Sequence, residues 1–193
     1  MKYVYKAIDF LIKPSKNFDS IKKYKLGEAF KFMLAISIVF AVLNGIIGTL
    51  FSNYIRATFG MTIPYSYELL PVMIISNIVS SYILIVVFFI LWSLWQHLWA
   101  YVFGARKGIE QTIKSVFYGT SPLFLMGWIP VISIIFVIWS LALHVIGIKK
   151  LHGMNTARSA LAVSIAVIIS LILLLAFLIS VIMMFGIDIP LAY

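Results

Sequence analysis

Four stretches of this chain, 32–55, 69–105, 115–148 and 159–187, contain no Asp, Glu, Lys or Arg. A bilayer-crossing helix takes roughly 20 apolar residues, so each stretch can hold at least one. This spacing makes lipid the solvent for most of the chain. Hydrophobic residues make up 63% of the 193, more than a water-soluble domain can cover. The stretches between the runs are too short for a separate soluble domain. Lys2, Lys6, Asp9 and Lys13 interrupt the N-terminus before an apolar signal core can form. The absence of cysteine rules out disulfides and thiol chemistry.

Fourteen of the fifteen Lys and Arg residues lie in three stretches, from Lys2 to Lys31, Arg106 to Lys114 and Lys149 to Arg158; Arg56 is apart. Loops rich in Lys and Arg stay on the cytoplasmic side, and this placement accounts for the net charge of +9 without a nucleic-acid partner. The charge also arbitrates the number of crossings. Run 115–148 as one helix would be about 51 Å long, too long to fit a ~30 Å core at an ordinary tilt. It also contains Pro122, Gly127 and Pro130, which turn or break helices. Run 69–105 has no Gly or Pro between Pro71 and Gly104 and reads as one long helix. Dividing 115–148 in two keeps all three basic stretches inside. Leaving it whole moves Lys149, Lys150 and Arg158 outside. The expected fold is therefore an all-α, five-span bundle, with spans at about 32–51, 71–103, 113–128, 131–148 and 159–186. The N-terminus is expected in the cytoplasm, and the C-terminus, with Asp188, outside.

No charged residue lies within an expected membrane core, which disfavours proton relays and ion-coupled pumping. Small residues recur at helical spacing instead: Ser37, Ala41 and Gly45, and Ala162, Ala166 and Ser170. Such stripes let helix backbones approach closely, within one chain or between two copies.

The tail 1–31 interleaves Tyr3, Val4, Ile8, Leu11, Phe18 and Ile21 with eight lysines, a pattern that suits an interfacial helix on anionic lipid. Ile109, Ile113 and Phe117 share a face, and Glu110 and Lys114 are spaced as an i,i+4 pair, so this segment is expected to slide along the inner leaflet. The aromatic end Trp92, Trp95, Trp99 and Tyr101 suits an inner interfacial belt. Tyr54, Phe59, Tyr65 and Tyr67 suit an outer one.

Trp92-Ser93-Leu94-x-x-His97 recurs as Trp139-Ser140-Leu141-x-x-His144, each copy followed by a glycine (Gly104, Gly147) and a basic pair. This suggests a parallel repeat and places His97 and His144 facing each other, with His152 in the adjacent loop. The histidines lack metal-ligand spacing and a nearby carboxylate, so hydrogen bonding is the expected role. No nucleophile–base pair or paired carboxylate is present, and neither enzymatic activity nor a cofactor is expected. In Tyr118-Gly119-Thr120-Ser121-Pro122, Ser121 either caps a half-helix or belongs to a kink whose freed carbonyl finds a hydroxyl. A polar cavity lined by Asn44, Gln96, His97, Ser121 and His144 would indicate transport.

HLWAYVFGARKG at 97–108, SVFYGTSPLFLMGWIP at 115–130, IWSLALHVIGIKKLHGMNTARSA at 138–160 and FLIKPSKNF at 10–18 together resemble the Yip (Ypt/Rab-interacting protein) domain family, in its short prokaryotic-type form. The resemblance covers nearly the whole chain in order. It implies a five-span membrane protein with a cytoplasmic N-terminus, whose pattern residues here are His97, Gly104, Tyr118, Pro122, Gly147, His152 and Gly153. Eukaryotic relatives act in vesicle trafficking with Rab-type GTPases and with one another. The tail of about 31 residues lacks their Asp-Leu-x-Gly-Pro element, so Rab binding is not carried over. The expected role is membrane-organising or adaptor-like in the cell membrane, with the bilayer, other membrane proteins or further copies as partners. The alternative is a small solute, ion or lipid transporter using the broken third span.

Overall fold

A computed structural model describes residues 2–61 and 67–184. Tyr65, Asp188 and the last residues of the expected fifth span lie outside the described residues, as does the side chain of Tyr67. The elements are α1 (Lys2–Ile12), α2 (Pro14–Ser20), α3 (Leu26–Thr58), α4 (Leu70–Val102), α5 (Ile109–Gly119), α6 (Ser121–Met126), α7 (Ser133–His152) and α8 (Thr156–Met184), with no strand among the described residues.

Proline and glycine punctuate the chain. Pro14, Pro71 and Pro122 sit in the first turns of α2, α4 and α6, where a missing N–H costs nothing. Gly153 closes α7 in the left-handed conformation, φ 76°, with its N–H bonded to the Lys149 carbonyl. Lys149, Lys150 and His152 in that last turn face the negative end of the helix dipole.

Helices α3, α4, α7 and α8 are long and apolar enough to cross a membrane. The segment expected as the third span, 113–128, is instead two short helices, α5 and α6. Residues 112–122 are buried without exception, so α5 is the centre of the bundle and does not slide along a leaflet. Lys114 is 1% exposed; its ammonium donates to the carbonyls of Lys22 and Tyr24, at 3.3 and 3.1 Å, where a pair with Glu110 was expected.

The tail also departs from expectation. Its apolar face lies on protein, with Ala7, Phe10, Phe18 and Ile21 fully buried, while Tyr5, Ile8 and Ile12 are exposed. An aromatic cluster provides the reason. Phe10 stacks on Tyr118 at 4.9 Å and meets Phe18 edge-on at 5.0 Å; Tyr118 also packs on Phe32 at 4.5 Å. Rings in such contact add about 0.5–1.5 kcal/mol per pair beyond their buried area.

The small-residue stripes act within the chain. A Cβ on Gly45 would fall 2.3 Å from Ile78 Cγ1, so glycine sets the approach of α3 to α4. Ala162 and Ala166 are buried, and the Trp95 indole N–H donates to the Ala166 carbonyl at 3.0 Å.

Candidate functional site

One set of polar side chains converges at the end of the bundle that carries the three basic stretches; a second, with Thr49, Ser76, Asn77 and Ser80, lies between the far parts of α3 and α4. The centre of the first is Thr112, fully buried on α5. Its hydroxyl lies 2.8 Å from His97 Nδ1 on α4 and 2.9 Å from His152 Nε2 at the end of α7, and the two imidazoles stack at 6.2 Å. A hydroxyl has one proton to donate, so at least one facing imidazole nitrogen must carry its own. The trio joins three helices. Thr112 escapes sequence reading because threonine on an amphipathic helix carries no signal without its partners.

His97 and His144 do not pair: His97 bonds to Thr112 and stacks on His152, while His144 faces Gln96. His144 is 2% exposed and has Gln96 as partner, 3.4 Å from Nδ1. Its ring covers Gly119, where a Cβ would lie 2.5 Å from Cδ2. The Ser115 hydroxyl donates to the His144 carbonyl at 3.1 Å. One turn on, a Cβ at Gly147 would fall 2.3 Å from Ser115 Oγ and 2.8 Å from Phe18 Cε1. Gly119 and Gly147 thus bring α5 and α7 together and seat the tail against them.

The break at Ser121-Pro122 is a kink. Proline has no N–H for the Tyr118 carbonyl, and the Ser121 hydroxyl donates to that oxygen at 2.6 Å. Thr120 does the same for Phe117 at 3.0 Å. Ser121 makes no capping bond to α6, whose first turn is buried in protein.

Lys6 reaches α5 from the tail. Its ammonium donates to the Tyr118 hydroxyl at 3.2 Å and lies over the rings of Tyr24 and Tyr118, 4.4 and 4.6 Å from their centroids. Burial lowers its pKa, against the opposing charge of Glu28. Outside, Asp19 pairs with Lys150 at 2.7 Å and with Lys22, and these hydrogen bonds hold its carboxyl below the ordinary range. Gly104 and Gly153 have positive φ; a Cβ at Gly104 would lie 3.7 Å from the Arg158 guanidinium and one at Gly153 3.1 Å from the Lys107 ammonium.

The expected cavity residues do not meet as a group, although Gln96 and His144 are in contact. Asn44 lies far along α3, near Ser81 at 3.5 Å, and Gln96, His97 and Ser121 are taken up in separate contacts. His144 lines an apolar crevice of about 340 Å³ with Phe88, Trp92, Leu123, Val137 and Leu174.

Long apolar helices around a hydrogen-bonded basic end define a multi-pass, all-helical membrane protein. Residues 8–178 match the family model described as Yip1 domain, and the chain belongs to that family. No curated protein and no solved structure matches it.

Proposed function

We propose that this protein is a non-enzymatic membrane organiser or adaptor of the Yip type in the cell membrane, with its N-terminus and basic end in the cytoplasm and its C-terminus outside. One observation carries the reading: at the basic end most of the polar groups suited to transport or chemistry are drawn into internal bonds, although Gln96 Oε1, His144 Nε2 and His152 Nδ1 are buried without a partner. Thr112 ties His97 to His152, Ser121 satisfies the Tyr118 carbonyl, and Gln96 meets His144. The groups left for partners include the exposed basic residues Lys2, Lys13, Lys16, Lys23, Lys25, Lys107 and Arg158. They suit anionic lipid, acidic segments of other membrane proteins, or further copies of the chain.

The second reading, a lipid-moving protein, has the apolar crevice beside the kink in its favour. Mass measurement in mild detergent, followed by solute flux and lipid scrambling in liposomes, separates the two. A defined oligomer without flux or scrambling is expected. Saturable transport lost on Ser121→Ala or His97→Ala would overturn the adaptor reading.

A further inference from the structure

The hairpin formed by α5, α6 and α7 stops well short of its neighbours. Phe124, on α6, packs against Phe89 of α4 and Phe40 of α3 at 5.2 and 6.1 Å between ring centroids. Beyond that level α6 ends at Met126, while α3 continues to Thr58 and α4 reaches back to Leu70. At 1.5 Å per residue each extension is about 27–29 Å, close to the ~30 Å of a hydrocarbon core. On the other arm, Ser140 Oγ accepts from the Leu123 N–H, so α7 has only seven residues from that level to its start at Ser133. The turn at 127–132 therefore lies about 15–20 Å short of Thr58 and Leu70.

Charge fixes the near boundary. The α1–α2 tail lies along α7: Asp19 pairs with Lys150, Phe18 abuts Gly147, and Leu11 lines one concavity with Ile135, Ile138 and Trp139. Asp9, Lys13 and Lys16 on this tail are exposed and cannot stand in hydrocarbon. Trp139, at their level and 45% exposed, is a residue type of the interface. A core that begins at Trp139 and Phe124 ends, one bilayer thickness on, at Thr58 and Leu70, with Arg56 at its far rim. A core centred on α7 would bury Lys13 and Lys16 in lipid. It would also move Val72, Ile75, Phe177 and Met183 out of lipid, whereas the core that begins at Trp139 leaves Leu91, Leu94, Leu98 and Val102 beyond its cytoplasmic boundary, so the exposed charges of the tail decide between the two.

We propose that residues 113–148 form a re-entrant hairpin that enters the cytoplasmic leaflet, turns at 127–132 among its acyl chains and returns. The chain then crosses three times, through α3, α4 and α8, and inner-leaflet acyl chains cover the tip. Val131, Ile134, Ile135 and Ile138, 84%, 59%, 59% and 62% exposed, form that lipid-facing surface. Three crossings with a re-entrant hairpin leave every basic stretch on the side that five crossings would, so the charge pattern fits both. The inference stands independently of the adaptor role.

The chain has no cysteine, so single cysteines can be placed at will in the full-length protein. Val131→Cys, Thr58→Cys and Lys13→Cys are reconstituted in sealed vesicles of one orientation and treated from each side with a membrane-impermeant maleimide. Ile134→Cys repeats the tip measurement within α7, away from the positive φ of Val131. Thr58→Cys is expected to react from one side only and Lys13→Cys from the other. Both tip variants are expected to react only after detergent is added. A bimane at the tip is expected to be quenched more by lipids brominated in mid-chain than by a headgroup quencher. Reaction of the tip variants from the Thr58 side would mean two full crossings, and reaction from the Lys13 side a tip outside the membrane; either overturns the proposal.

Discussion

At Gly147 any side chain beyond hydrogen meets Ser115 and Phe18 at once. Gly147→Ala is expected to force α5, α7 and the tail apart and to cost about 1–3 kcal/mol, as overpacking does. Gly27→Ala, with nothing within 4 Å of the added carbon, is expected to be neutral or stabilising by up to about 1 kcal/mol. Thermal unfolding of both variants in one detergent checks the contrast. Thr112→Val keeps the shape but leaves His97 and His152 without their shared hydroxyl. It is expected to cost about 1–3 kcal/mol, with Thr112→Ser restoring most of the loss. Asp19 gives the pH dependence. Its carboxyl is held low by Lys150 and Lys22, so its contribution is full above the unfolded value of about 3.9 and is lost as pH falls through the lower folded value. A pH series of melting temperatures is expected to decline across that acid window, and Asp19→Asn to flatten that part of the decline. At neutral pH this exposed pair contributes little.

Among the elements, the kink between α5 and α6 shows how a broken helix stays satisfied in a dry environment. Ser121→Ala leaves the Tyr118 carbonyl with neither hydroxyl nor amide and is expected to destabilise by about 1–3 kcal/mol. In a Pro122→Ala background residue 122 regains an N–H, and the same Ser121→Ala change is expected to cost much less. A double-mutant cycle on unfolding measures that difference directly. The kink was legible in the sequence because proline removes one donor at a known offset and serine supplies the replacement locally. The four long helices were legible too, since uninterrupted apolar runs carry their own signal. The path of the tail was not. Phe10 and Phe18 could cover lipid or protein equally well by pattern, and only the distant Tyr118 and Gly147 decide between them. The histidine pairing failed for the same reason: spacing along α4 and α7 cannot reveal that Thr112 takes up His97 and His152 while Gln96 meets His144.

For the whole molecule, a re-entrant hairpin makes the two leaflets unequal. The cytoplasmic leaflet holds α3, α4 and α8 together with α6, the start of α7 and their turn, and the tail packs beneath them at the headgroups. The outer leaflet holds only α3, α4 and α8, and residues 171–180 of α8 are exposed on every side. Such a body adds more area to the cytoplasmic leaflet than to the outer one and favours a membrane whose cytoplasmic face is convex. Protein reconstituted into mixed small and large vesicles, with its basic end outward, is expected to be enriched per unit of lipid in the small ones. Val131→Lys tests whether the tip is the cause, because a lysine set among acyl chains costs about 2.5–3.5 kcal/mol near mid-membrane. The tip must then withdraw or drag water inward, so the preference for small vesicles is expected to fall towards parity while Thr58→Lys, at the far rim, leaves it intact. A tip lying in water beyond the outer leaflet would accept the lysine at Val131 without consequence, and the vesicle distribution would not move.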